Sequence, residues 1–326
     1  MNIVEKLRDR CIQENRRIVF PEGEALEIVK AAHMAYELGV CSPLLLGNRE
    51  RIRAACKKSC VPEGSWYICT DPAEADLDAA AAALCGLINL DTATARFLLE
   101  QPLYYGAMLL RTGGADAMVA GFIAETAEVI NAGMMIVGLA DEVSVPSSFF
   151  IMDIPCFSGS EGSLLVYADA GVNISPTAEE LADIAIKTSH SVSVLLDWEP
   201  RVAMLSFSTK GSASHEKVDL ILEALELVRS KVPSLLIDGE LQADAALSTH
   251  VAEKKIPYGS PVAGRANILI FPDLTSGNIA YKLTQRLAGA QAYGPILQGF
   301  RSPICDLSRG STVDDILGII CIAGVL

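Results

Sequence analysis

Three short stretches of this sequence combine hydroxyls, a fixed cation and a carboxylate closely enough to do chemistry. The first is the segment 306–315 (DLSRGSTVDD). Ser308 brings a hydroxyl, Arg309 a permanent positive charge and Gly310 a backbone that a ligand can approach closely. Asp315 supplies a carboxylate that can take a proton while the arginine and the following helix hold developing negative charge. The same residues also have a plain structural reading, because Thr312 and Asp315 have the spacing of a helix capping box. The second stretch is the loop 206–214 (SFSTKGSAS) directly before a helix, where Ser206, Ser208, Lys210 and the free N–H groups of the helix could hold an anion. Its plain reading is a solvated loop capped by Ser214. The third is 271–282, in which Asp273, Thr275, Ser276 and Asn278 follow a strand and Tyr281 and Lys282 lie one turn into a helix. Tyr281 reads equally well as a packing residue.

Familiar fingerprints are missing. No G-x-x-x-x-G-K-[ST] loop, no G-x-G-x-x-G after a strand and no nucleophile elbow occurs, so nucleotide hydrolysis, dinucleotide oxidoreduction and serine hydrolysis lose their support. His33, His190, His215 and His250 are scattered over separate helices. Nine cysteines, an odd number with no C-x-x-C, read as reduced thiols rather than disulfides or a zinc site. No metal and no tightly bound cofactor is expected.

Elements that alternate between strand and helix must position these loops. Strands are expected at 17–20, 42–46, 117–120, 134–139, 203–207, 234–237 and 267–271. Helices are expected at 24–38, 49–58, 75–87, 91–111, 123–131, 215–229, 243–252, 278–287 and 312–323, with another from Pro176 capped by Ser175. Two strands joined by a flexible turn fill 144–170. Such alternation predicts α/β architecture with mostly parallel sheets flanked by helices, and ligands at strand ends. With 51% apolar and 20% charged residues the chain can fill a large core. A net charge of −14 argues against nucleic acid as partner. The N-terminal 20 residues lack a signal-peptide pattern and no apolar run reaches the roughly 20 residues that span a bilayer, so a cytoplasmic protein without membrane contact is expected.

Taken together and in order, the pieces 206–210, 236–242 (LIDGELQ), 260–266 (SPVAGRA), 270–278 (IFPDLTSGN), 294–299 (GPILQG) and 306–310 (DLSRG) resemble the phosphate acetyltransferase (phosphotransacetylase) family. Within it they are similar to the short ethanolamine-utilisation type. The resemblance runs from residue 19 to Asp315. It implies reversible transfer of an acetyl group between acetyl phosphate and coenzyme A, with the thiol attacking the acyl carbonyl. Alternatives are a propionyl- or butyryl-transferring enzyme, or a coenzyme-A-binding homologue of low activity. It assigns Asp315 as base, Ser308 to the oxyanion and Arg309 to the phosphate. Ser206, Ser208, Lys210, Asn278, Tyr281, Lys282 and Gly310 fall to coenzyme A, which is a substrate here. It implies two α/β domains, residues 1–141 with 292–326 and residues 142–291, around an interdomain active-site cleft in an isocitrate/isopropylmalate dehydrogenase-like fold. It also implies a homodimer. Two features depart from the pattern. The stretch near 85–92 lacks the arginine and lysine that relatives carry before Pro102, and Asn131 stands where relatives place an arginine. Arg96 and Arg111 are the candidates to substitute.

Overall fold

The computed structural model describes residues 3–141 and 143–326. The chain divides into two compact units, Met1–Asp141 with Phe300–Leu326, and Glu142–Gly299. Glu142, where the second region was expected to begin, lies outside the described residues.

The first unit contains α1 (Ile3–Glu14), β1 (Arg17–Phe20), α2 (Leu26–Glu37), β2 (Ser42–Leu46), α3 (Arg49–Lys58) and β3 (Ile68–Thr70). Next come α4 (Asp78–Leu87), α5 (Thr92–Leu99), α6 (Pro102–Thr112), β4 (Ala117–Ala120) and α7 (Thr126–Ala132). The second unit contains β5 (Ser147–Asp153), β6 (Leu164–Ala168), α8 (Ala178–Leu196), β7 (Arg201–Leu205), α9 (Glu216–Lys231) and β8 (Leu236–Leu241). It continues with α10 (Ala243–Leu247), α11 (Thr249–Lys255), β9 (Ile268–Ile270), α12 (Leu274–Leu287) and β10 (Gln291–Gln298). The chain then returns to the first unit with β11 (Ile304–Asp306) and α13 (Val313–Val325).

In the first unit the strands lie in the order β3-β2-β1-β4-β11, every neighbouring pair parallel. Parallel strands covered by helices on their faces need continuous apolar runs, and β4 (AMVA) is buried throughout. Helix α13 is apolar almost all round, and Ile316 to Val325 are buried where it packs against α1 and α2. Because the strands are parallel, the segments after β1, β4 and β11 leave from one edge of the sheet. Those segments are Pro21–Gly23, 121–125 and 307–312. The edge beyond the carboxyl ends of parallel strands is where such sheets gather polar groups.

The second unit orders its strands β10-β5-β6-β9-β7-β8. Here β5 runs antiparallel to both β10 and β6, while β6, β9, β7 and β8 pair in parallel. This corrects the expected fold class. The sheet is mixed, because the turn between β5 and β6 brings the chain straight back beside itself, and an isocitrate/isopropylmalate dehydrogenase-like pair of mostly parallel sheets is not what forms.

Local differences have physical causes. Residues 133–137 continue α7 as a π-helical turn instead of forming a strand, a short apolar run being unable to tell a buried strand from a buried helical turn. Thr177, not Ser175, caps α8, since Thr177 and Glu180 make a reciprocal capping box. Among the described residues no single helix is long and apolar enough to cross a membrane. The pair α4 and α5 passes that test only together, across a bend of 114°.

Candidate functional site

The residues after β11 form an exposed turn that enters α13. Thr312 caps the helix, and its Oγ1 accepts from the Asp315 N–H at 3.2 Å. The Asp315 Oδ2 accepts in return from the Thr312 N–H and hydroxyl, both at 2.8 Å. Asp315 is half-buried, whereas Ser308, Arg309 and Gly310 are exposed. The Ser308 Oγ accepts from the Gly310 N–H at 3.4 Å. The four expected groups thus lie close together along the chain, with hydroxyl, guanidinium and open backbone on a turn ahead of a carboxylate in the first turn of a helix.

What holds this turn was missed. The Glu22 carboxylate, just beyond β1, accepts from the backbone N–H groups of Phe122, Ile123 and Ala124, each at 2.8 Å. Next along the chain, Glu125 caps α7 in a capping box with Glu128 and accepts a hydrogen bond from Arg309 at 3.0 Å. Thr126 then donates its hydroxyl to Asp306 Oδ2 at 2.6 Å. One loop, 121–126, thus links β1, β4 and the 306–315 turn. Asp306 is fully buried, and among the described residues its Oδ1 is the buried side-chain atom left without a hydrogen-bond partner. Burial, helped by the nearby Glu22 charge and opposed by Thr126, pushes the Asp306 carboxyl up to about 7. Gly121 makes room for it: its φ is +95°, and a Cβ there would lie 1.9 Å from Asp306 Oδ1. The only sequence signal for this linkage was the proline-glutamate-glycine turn, whose acidic residue finds its partners only once β1 and β4 are paired.

Beside Glu22 at the same edge lies a cavity of about 550 Å³, walled by Leu46, Pro102, Leu103, Tyr104 and Ile123 with Arg51 at its side. Neither Ser308, Arg309, Gly310 nor Asp315 lines it. The proposed substitutes for absent cations are engaged elsewhere. Arg96 pairs with Asp78, and Arg111 donates to the Val137 carbonyl at 2.7 Å. Asn131 is exposed on α7, the helix whose cap holds Arg309.

In the second unit two of the expected coenzyme A residues are engaged within the fold. Lys210 donates to Asp238 Oδ1 at 2.5 Å and to the Gly239 carbonyl at 2.6 Å. Ser208 is wholly buried and donates to Glu240 at 2.9 Å. Both residues fasten the loop to β8. The Ser206 Oγ accepts from the Ser208 N–H at 3.2 Å. Tyr281 stacks on Phe150 with ring centroids 4.2 Å apart, so one face of its ring is packed. Exposed Lys282 holds its Nζ 4.9 Å from that ring, and Asn278 donates to the Ala170 carbonyl at 3.4 Å. Among the described residues no group of three or more His, Cys, Asp or Glu is arranged to hold a metal ion.

The profile described as phosphate acetyl/butaryl transferase matches residues 2–324. A phosphate acetyltransferase of Thermoanaerobacterium thermosaccharolyticum is 43% identical over 100% of this chain and 99% of its own length. The chain belongs to the phosphate acetyl/butaryl transferase family. A phosphate acetyltransferase of Acetivibrio thermocellus is 42% identical, over 100% of this chain and 98% of its own. Among solved structures, a phosphotransacetylase from Streptococcus pyogenes superposes with a TM-score of 0.92 at 39% identity, covering 99% of this chain and 97% of that one. The EutD phosphotransacetylase from Staphylococcus aureus gives 0.89 at 33% identity with the same coverage. These likenesses complete the correction of the fold class: the architecture is that of solved phosphotransacetylases.

Proposed function

We propose that this phosphate acetyl/butaryl transferase moves an acetyl group reversibly between acetyl phosphate and coenzyme A. The observation that carries the reading is identity above 40%, along the whole chain, to phosphate acetyltransferases, with a turn at the carboxyl end of β11 bearing the groups such a transfer needs. A thiol with a reference pKa of about 8.5 is mostly protonated at neutral pH. Asp315 takes that proton as sulfur bonds to the acyl carbon. Ser308 donates to the carbonyl oxygen as it gains charge. The bond from the acyl carbon to the phosphate oxygen breaks, and Arg309 receives the departing phosphate, which its fork of donors suits. Run backwards, phosphate attacks the thioester and the proton returns to sulfur. Gly310 leaves the backbone open to coenzyme A, and Ser206, Asn278, Tyr281 and Lys282 remain its candidate contacts.

Within the family, the reading as the short ethanolamine-utilisation type rests on likeness to the Staphylococcus aureus protein. A homodimer is supported by α12, in which Gly277 is the one buried residue while Ile279, Leu283 and Leu287, successive at four-residue spacing, are exposed. A reducing, cytoplasmic setting accords with nine free thiols, five of them buried. The testing experiment measures phosphate release and thioester formation from acetyl, propionyl and butyryl phosphate with coenzyme A. Saturable transfer with acetyl phosphate preferred is expected. Folded protein that transfers none of the three overturns the proposal, and preference for a longer chain reassigns the acyl group.

A further inference from the structure

Helix α3 is a basic element in an acidic protein. The chain carries a net charge of −14, yet the ten residues Arg49–Lys58 hold Arg49, Arg51, Arg53, Lys57 and Lys58 against the single carboxylate Glu50. Arg49 and Arg53 lie one turn apart on the same face, a like-charge spacing that weakens a helix when nothing offsets it. That face borders a cavity of about 420 Å³, completed by Glu63, Gly64, Tyr67 and Cys69. It shares no residue with the cavity beside Glu22, nor with the 306–315 turn.

The cavity wall is rich in hydrogen-bond donors. Arg53 leans on exposed Glu50 at 2.9 Å, a contact open to solvent and easily exchanged. Burial raises the Tyr67 phenol and the Cys69 thiol above their ordinary values, so both keep their protons. Exposed Glu63 is the carboxylate in the lining. Tyr67 is held in place by Trp66, its ring centroid 4.6 Å away, and Trp66 is fixed by donating to the Pro62 carbonyl at 2.9 Å and by the edge contact of His33 at 5.0 Å. Two guanidiniums lining one hollow, with Tyr67 in the wall between them and β3, suit a tetrahedral oxyanion, whose oxygens accept from several directions at once.

We propose that the cavity between α3 and β3 binds a small phosphate-bearing anion at a site separate from that of acyl transfer. The test uses inorganic pyrophosphate as probe on the full chain. Trp66 is one of two tryptophans, so a Trp198→Phe background reports on this region by fluorescence, and equilibrium dialysis counts the sites. Expected are a saturable fluorescence change and, in the Arg49→Ala/Arg53→Ala variant, one bound site fewer or affinity weaker by about tenfold or more. That variant keeps its acetyl transfer, and Arg309→Ala keeps the fluorescence titration. An unchanged dialysis count and affinity in the double variant overturns the proposal. So does a fluorescence titration abolished by Arg309→Ala, which would place the anion at the 306–315 turn.

Discussion

The loop 206–214 and the turn 306–315 look alike as sequence: each follows a strand, precedes a helix, and combines serines with a cation and a glycine. In the structure they differ in what their polar groups already do. Lys210, Ser208 and Thr209 are turned inward onto Asp238, Glu240 and Gln242 of β8 and the residue after it. Ser308, Arg309 and Gly310 stay exposed, and their support comes from a neighbouring loop that leaves them so. A count of hydroxyls and cations therefore does not find a site. What separates the two is whether strong partners within the fold already satisfy those groups, since a buried ionic network serves structure and an exposed, oriented one can serve a ligand.

The sharpest way to break this contrast is to remove the carboxylate of the outward-facing turn. Asp315→Ala is expected to lower turnover by about 10²- to 10⁴-fold while leaving the KM for coenzyme A within a few-fold. Because Asp315 also belongs to the α13 capping box, thermal unfolding of the variant should be followed; a cap is worth about 1 kcal/mol. Asp315→Asn keeps an acceptor for the cap and should be just as inactive. Turnover that survives in both variants removes Asp315 as the base.

On the inward-facing loop the opposite result is expected. Lys210→Met leaves Asp238, only 5% exposed as a side chain, without its closest cation, while Arg229 stays at 3.4 Å, and loss of such a charged hydrogen bond costs about 1.5–3 kcal/mol. The urea midpoint should fall accordingly, while the KM for coenzyme A stays within a few-fold. A collapsed affinity for coenzyme A with unchanged stability would show that Lys210 turns outward in use and erase the distinction between the loops.

How far the sequence disclosed all this depends on the range of each interaction. The α13 cap was legible, since Thr312 and Asp315 are three residues apart and their reciprocal bonds are local. So was the placement of β1, β2 and β4, short apolar runs closed by turn residues. The grip of Glu22 on residues 122–124 was not, because it spans about a hundred positions and exists only when two strands pair. Asp306 read as one more polar residue of a motif, and its burial beneath Gly121 depends on the same pairing. The dehydrogenase-like fold class failed for a related reason. Alternating strand and helix is shared by many parallel folds; the strand-turn-strand reading of 144–170 was a local sign of the β5–β6 return, but the antiparallel pairing of β5 with β10 joins segments far apart in sequence and had none.

Asp306 offers a subtler probe of the linkage behind the turn. Its folded carboxyl titrates at about 7, above the roughly 3.9 of an unfolded aspartate. Between those values the folded chain holds a proton that the unfolded chain has lost. The contribution is therefore complete below the unfolded value and fades as pH rises through about 7, with a slope near 1.4 kcal/mol per pH unit at most. Asp306→Asn, which can still accept from Thr126, should flatten this part of the profile and be relatively more stable than the parent above pH 7. Identical pH profiles of the urea midpoint in parent and variant would mean that Asp306 ionises normally, and that its burial is less complete in solution.

The smallest effects are expected at the exposed end of the linkage, where they bear on whether orientation matters at the turn. Arg309→Ala should raise the KM for acetyl phosphate by about ten- to a hundredfold, the worth of a charge-assisted bond to an anion, with the KM for coenzyme A little changed. Glu125→Gln keeps an acceptor facing Arg309 and a side chain able to cap α7, but removes the charge. Both partners are more than half exposed, so the ion pair itself is worth little to stability, and unfolding should move hardly at all. Acetyl phosphate affinity should still weaken, by a few-fold, because an arginine no longer drawn to one place spends less of its time where the phosphate needs it. Tighter binding in Glu125→Gln would mean that Glu125 competes with the substrate for Arg309 rather than presenting it. The turn would then be an occupied site waiting for displacement, closer to the loop at 206–214 than its exposure suggests.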